Sequence, residues 1–188
     1  MNTFNIIITI LWFIFLLYWL VSAVKSKKNI RNRAWSRGIA FRIGFIIVFI
    51  LALKIPAFQN FFTETHSPLS GIIQLFGVII AVLGVSLAIW ARRHLGTNWG
   101  MPMSLKVNPE LVTSGPYSYI RNPIYTGVLM ALLGSAFVEG VFWLIPFVCA
   151  AMYFVYSSKV EEKIMLKEFP TQYPEYKKRT KMLIPFVF

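Results

Sequence analysis

"IYTGVLMALLGSAFVEGVFWLIPFVCAAMYFVY", residues 124–156, decides the fold. The run is too long for one membrane-crossing helix, which needs about 20 apolar residues. Its only charge, Glu139, stands beside Gly140 near the middle. An unpaired carboxylate at the bilayer centre is costly, so Glu139-Gly140 reads as the turn of a tight helical hairpin at the membrane surface. The two arms are short for full crossings, and short helices cross with less tilt or a locally thinned bilayer.

Working outward, Phe4–Val24, Ile39–Ile55 and Ile72–Trp90 are three further apolar runs. The sequence therefore predicts an all-α integral membrane protein with five transmembrane helices in a single membrane domain, residues 1–188. Residues 1–91 carry the first three helices. A composition of 57% hydrophobic and 14% charged residues excludes a soluble domain with one core.

The chain carries 19 Lys and Arg and a net charge of +12. They gather after the first run (Lys25 to Arg42), after the third (Arg92, Arg93, Lys106, Arg121) and after the last (Lys159 to Lys181). The positive-inside rule then places the amino terminus outside, and the polar segments and carboxyl terminus in the cytoplasm. The basic residues flank spans rather than forming a domain, which favours anionic lipid headgroups as partners and excludes nucleic acid. Val21-Ser22-Ala23 resembles a signal-peptide cleavage site, but no basic stretch precedes it, so the first run is expected to remain as an anchor. The one cysteine, Cys149, forms no intramolecular disulfide. His94 has no His, Cys or Asp nearby, which argues against a metal site.

Two polar segments invite a functional reading. Residues 91–121, "ARRHLGTNWGMPMSLKVNPELVTSGPYSYIR", are rich in Gly and Pro and long for a connection. Such irregular backbone lies near membrane depth only where it is buried or lines a cavity. Asn122-Pro123 reads as an N-cap followed by the first helical residue, and the same helix terminus beside Arg121 is also a ready anion site. Tyr117, Tyr119 and Tyr125 suit either an interfacial belt or a pocket wall. The second segment follows the last span and carries Glu161-Glu162, in a chain with seven acidic residues. These are either solvated helix carboxylates or, for one of them, an acceptor turned into a pocket, since neighbours on a helix diverge by about 100°.

Taken together, "HLGTNW", "LVTSGPYSYIRNPIYTG", Glu161-Glu162 and "EFPTQYPEYKKRTKMLIP" resemble the isoprenylcysteine carboxyl methyltransferase family of membrane enzymes. The resemblance covers about Arg92 to Pro185, making residues 92–188 the catalytic half. It implies S-adenosylmethionine as cofactor, held in a cytoplasmic pocket, with S-adenosylhomocysteine as product and a lipophilic or prenylated substrate arriving from the bilayer. Mapped by motif, it implies that Leu111 and Val112 line the adenine region, Gly115 and Tyr117 the pocket wall, and Arg121, Asn122 and Tyr125 the methionine end. Glu161 or Glu162, with Glu162 preferred on the family pattern, would hold ribose or amino group. Asn98 and Trp99 would approach the methyl-transfer site, with Asn98 and Arg121 in catalytic roles and His94 and Trp99 on the substrate. The family commonly has His where this chain has Asn122.

A sulfonium is already an activated donor, so the protein's task is positioning and water exclusion. A carboxylate acceptor needs no general base, whereas a thiol or an ammonium must lose a proton. No His-plus-acid constellation occurs in the matched region, which favours a carboxylate such as an isoprenylcysteine-like or isoprenoid acid. The alternatives are a thiol, a phospholipid amine, or a sterol-reductase-like enzyme using a reduced nicotinamide cofactor.

Overall fold

The computed structural model describes residues 2–23, 29–30, 70–99, 105–106 and 109–184. Five α-helices account for most of them: α1 (Thr3–Ala23), α2 (Gly71–Leu95), α3 (Pro123–Glu139), α4 (Leu144–Glu168) and α5 (Gln172–Arg179). Short 3-10 turns occupy Gly96–Asn98, Gly115–Ser118 and Val141–Trp143. The extended elements among the described residues are a two-residue antiparallel ladder of β1 (Asn29–Ile30) with β2 (Leu105–Lys106) and an isolated parallel bridge between Ile120 and Lys181. The expected span Ile39–Ile55 and the basic residues between Lys25 and Arg37 lie outside the described residues.

Among the described residues, three helical segments, Thr3–Ser22, Gly71–Asn98 and Val141–Glu168, are long and apolar enough to cross a membrane. α3 is apolar but has only 17 residues, so the hairpin is asymmetric, with a short inner arm and a long outer one. Its turn falls where the sequence places it: α3 ends at Glu139, and Gly140 follows at φ 115°, a conformation that suits glycine. The Glu139 carboxylate is partnered, accepting a hydrogen bond from Asn5 Nδ2 at 3.1 Å. At the same end, Asn2 Nδ2 donates to Gln74 Oε1 at 2.9 Å. The starts of α1 and α2 and the end of α3 thus meet in one polar cluster.

The core is the antiparallel pair of α2 and α3. Gly77, Ala81, Gly84 and Ala88 on α2 face Gly127, Ala131 and Gly134 on α3, and the two backbones touch. A Cβ added at Gly84 would stand 2.5 Å from the Gly127 carbonyl oxygen and 2.6 Å from the Ala131 nitrogen. In lipid the hydrophobic effect does not drive helix association, and small residues that admit close backbone packing take its place. α1 lies against this pair through Ile8, which packs with Val78, Ala81 and Val138. Farther along, Trp12 Nε1 donates to Ser135 Oγ at 3.0 Å, satisfying two polar groups within the helical layer.

α2 continues to Leu95 rather than stopping at Trp90, which brings Arg92, Arg93 and His94 into its last turn, where cations suit the helix dipole. α4 likewise continues past Tyr156 to Glu168. Beyond α5 the chain returns beside the Gly115–Thr126 segment. Arg121 N donates to Lys181 O at 2.8 Å, Asn122 N to Met182 O at 3.2 Å and Thr126 Oγ1 to Leu183 O at 2.6 Å. Met182 and Leu183 are buried there, so the carboxyl-terminal segment is a strap fastened across the start of α3.

Candidate active site

A cavity of about 410 Å³ opens at the end of the bundle opposite the Glu139 turn. Contributions come from the carboxyl-terminal half of α1, residues 95–99 and 109–112, the start of α3, one face of α4, and α5. Its size lies within the range of small-molecule sites, about 300–1,000 Å³.

Nine of the twelve residues singled out in the sequence line this cavity. From the loop come Asn98, Trp99, Leu111, Val112 and Tyr117; from the start of α3 and α4 come Arg121, Asn122, Tyr125 and Glu161. Glu162, Gly115 and His94 do not line it. Glu162 sits one residue further round α4, where its Oε1 accepts from Arg121 Nε at 3.0 Å and Nη2 at 2.7 Å, and its Oε2 from Lys177 at 2.6 Å. The helical divergence of adjacent positions therefore separates the pair: Glu161 lies on the cavity wall and Glu162 anchors its guanidinium. His94 is exposed, with Nδ1 3.2 Å from the Trp90 carbonyl oxygen. Its imidazole covers Gly115, whose φ of 59° suits glycine.

Several of the polar lining groups are held by defined partners. Arg121 reaches beyond Glu162 to the carbonyls of Lys177 and Thr180, binding α4, α5 and the strap together. Asn122 occupies the N-cap position of α3, but its side chain makes no capping bond and donates instead to Met182 O at 3.1 Å. Tyr125 donates to Glu161 Oε1 at 2.6 Å and stacks on Phe154 at a centroid distance of 4.4 Å. Ser157 donates to the same carboxylate oxygen at 3.1 Å. Asn98 donates to Glu110 Oε2 at 3.2 Å. Trp99 carries the Arg92 guanidinium 4.4 Å from its ring centroid, and Arg92 in turn donates to the carbonyls of Gly96 and Ser22 at 2.7 Å. Arg92 thereby ties the end of α1 to the end of α2.

Burial pushes the Tyr117 phenol well above its ordinary pKa, with the neighbouring Tyr176 and Glu161 adding to the shift. Burial likewise raises Tyr173, and it raises Tyr176 to about 12. All three are neutral near pH 7, and the Tyr176 hydroxyl donates to the Tyr117 carbonyl at 2.7 Å.

Several lining residues escaped the sequence reading. Phe15 and Trp19 come from α1, where nothing distinguishes them from other lipid-facing aromatics. Tyr173 and Tyr176 come from α5, whose spacing of three residues puts both on one helical face. Glu110 carried a legible signal, because acids are scarce in this chain. Among the described residues there is no group of three or more His, Cys, Asp or Glu able to hold a metal ion.

Tyr125→Phe isolates one of these supports. Removing the hydroxyl leaves Glu161 held by fewer donors, and hydrogen bonds to charged groups contribute about 1.5–3 kcal/mol. The expected result is at least about tenfold weaker binding of a cationic or hydroxylated ligand with the helices intact. Equal affinity in wild type and variant, measured by calorimetry, would remove Tyr125–Glu161 from the binding machinery.

Comparison with known proteins places this geometry in context. A family model described as phospholipid methyltransferase matches residues 72–172. The chain is 26% identical over 142 residues to the cobalt-zinc-cadmium resistance protein CzcN of Cupriavidus metallidurans, covering 74% of this chain and 60% of that protein. It is 27% identical over 109 residues to the nickel-cobalt-cadmium resistance protein NccN of Alcaligenes xylosoxydans xylosoxydans, covering 56% of this chain and 48% of that protein. The chain thus spans between about half and three fifths of the length of these curated relatives. Among solved structures, the eukaryotic intramembrane Ras methyltransferase ICMT superposes with a TM-score of 0.56 at 22% identity, over 84% of this chain and 55% of that one. That likeness is one of fold.

Proposed function

Because the chain belongs to the phospholipid methyltransferase family, we propose that it is an S-adenosylmethionine-dependent methyltransferase acting on a lipophilic acceptor at the membrane surface. The observation that carries this reading is the composition of one cavity wall set. Glu161 offers an acceptor for hydroxyl or ammonium groups, Arg121 a fixed cation for a carboxylate, and Leu111, Val112 and Phe154 an apolar wall for a flat base. These groups fit the parts of such a cofactor. When bound, the cofactor supplies a methyl group activated by its sulfonium.

The chain's own residues then orient and enclose. Arg121 and Glu161 fix the two polar ends of a bound molecule through side chains already locked by Glu162, Tyr125 and Ser157. Such preorganisation turns binding into alignment for attack. The tyrosines of α5 close one side against water, and Phe15 and Trp19 face the cavity from α1, whose other faces expose Phe13, Leu17 and Leu20. An acceptor with a hydrocarbon tail would enter along α1. On the basic-residue pattern, the cavity and the strap lie on the cytoplasmic side and the Asn2–Glu139 cluster outside.

A carboxylate acceptor, such as an isoprenylcysteine-like or isoprenoid acid, remains the first expectation, since it needs no base. One observation favours an amine as the second: Glu110, bonded to Asn98, is a further carboxylate on the wall and a further acceptor for an ammonium group.

Calorimetric titration of detergent-purified protein with S-adenosylhomocysteine, against reduced nicotinamide dinucleotide phosphate, tests the reading. Binding of the first alone is expected. Binding of the dinucleotide alone would move the protein to reductase chemistry, and binding of neither by folded protein would refute a cofactor role for the cavity.

A further inference from the structure

α4 has an unusual inner face. Of its 25 residues the two that are buried are Ser157 and Ser158, both at 0% exposure, while Val148, Met152 and Tyr156 are exposed. A helix in lipid would ordinarily turn its serines toward backbone carbonyls, because a hydroxyl without a partner is costly in a dry environment. Other hydroxyls in this protein do so. Thr9 bonds to Asn5 O, Ser135 to Ala131 O and Thr180 to Tyr176 O, each four residues back.

The two serines of α4 differ in their bonding. Ser157 Oγ donates to Glu161 at 3.1 Å and lies 3.2 Å from the Tyr125 hydroxyl, so it belongs to the support of the carboxylate. Ser158 Oγ is fully shielded and has no hydrogen-bond partner among the described residues. Ser158 nevertheless lies on the cavity wall. Phe154, Ser158, Glu161 and Met165 follow one another at helical spacing and form the α4 side of the cavity, with an apolar residue at each end and the two polar residues between.

We propose that Ser158 is a ligand-binding residue of this cavity: its hydroxyl takes the hydrogen bond it lacks from a donor group of the bound molecule, shared with the Glu161 carboxylate. Ionised Glu161 only accepts, and Ser158 can accept through its oxygen, so the group that satisfies both is a donor, either a sugar hydroxyl or an ammonium. Residues three apart on a helix are neighbours at about 5–6 Å, close enough for one such group or a vicinal pair to meet both. This inference rests on the cofactor reading given above, which supplies molecules carrying both kinds of donor.

Ser158→Ala tests it with an uncommon pair of expectations. Removing a buried hydroxyl that has no protein partner costs the fold nothing, and alanine is the better helix former, so the thermal midpoint stays or rises. Affinity for S-adenosylhomocysteine falls about tenfold, because the complex loses a hydrogen bond. Analogues lacking a ribose hydroxyl or the amino group then identify the source, since the Ser158→Ala penalty disappears for the analogue that lacks the partner. A variant that binds S-adenosylhomocysteine as tightly as wild type overturns the proposal while leaving the cofactor reading intact. A penalty unchanged across every analogue overturns the donor-group assignment. Wild type that binds no S-adenosylhomocysteine defeats the cofactor reading and this inference together.

Discussion

Replacement of Arg121 by alanine is expected to abolish measurable binding of S-adenosylhomocysteine, a loss of at least about 100-fold, and to release the carboxyl-terminal strap. The side chain is 10% exposed and its partner Glu162 12%, so the pair is largely out of water. Removing one member of a buried pair leaves the other uncompensated, at a cost of about 3–5 kcal/mol. Here Lys177 offsets part of that cost, since it contacts the other oxygen of Glu162 at 2.6 Å and is itself half-exposed. The carbonyls of Lys177 and Thr180 lose their donor at the same time. Two readouts therefore move together. Calorimetry reports the missing cation on the cavity wall, and limited trypsin digestion reports new access at Lys177, Lys178, Arg179 and Lys181. Arg121→Lys is expected to rescue neither fully, because a single ammonium cannot span a carboxylate and two carbonyls as a planar fork does. Unchanged affinity in the alanine variant would mean that the guanidinium serves the strap alone.

The sequence made some parts of this arrangement legible and hid others, for identifiable reasons. Glu139-Gly140 was readable as a turn because a lone charge and a glycine interrupt a long apolar run, and Asn122-Pro123 marked the start of α3 because proline favours the first turn of a helix. The loop was readable as a candidate cavity wall because Gly, Pro, Tyr and Arg are out of place beside a lipid-facing helix, whereas Asn98, Trp99, Leu111 and Val112 stood out only through the family resemblance. What the two glutamates would do was not readable. Their different surroundings arise from where α5 and the strap return, a long-range event that places Lys177 beside Glu162 and leaves Glu161 to Tyr125 and Ser157. Phe15 and Trp19 were invisible for the opposite reason: in a helix of continuous apolar residues, nothing in the local pattern separates a cavity face from a lipid face. Ser158 was equally silent, because a serine in a helix usually bonds its own backbone and only the completed packing shows that this one does not.

Gly127→Leu is expected to disrupt the molecule more than any substitution in the cavity itself. A Cβ at Gly127 would stand 2.5 Å from the Gly84 carbonyl oxygen and 2.7 Å from the Ala88 nitrogen. Both are backbone atoms of a regular helix, so no rotamer change can make room, and α2 and α3 must separate along the whole seam. The reciprocal contact at Gly84 and the matching one between Gly77 and Gly134 would open with it. Overpacking a close-packed interior costs about 1–3 kcal/mol, and occasionally more, when side chains alone have to yield. A displaced helix costs the upper end or beyond. The damage also reaches the site, because α3 begins at Pro123 and carries Tyr125 only two residues before Gly127 approaches α2. Detergent-solubilised Gly127→Leu should therefore show a lowered thermal midpoint and lose ligand binding, with Gly127→Ala intermediate. Gly71→Ala supplies the control, since nothing lies within 4 Å of a Cβ at that position, and it should behave as wild type. A Gly127→Leu protein that melts and binds normally would show that the α2–α3 seam yields at little cost, and that close backbone contact is not what holds this bundle together.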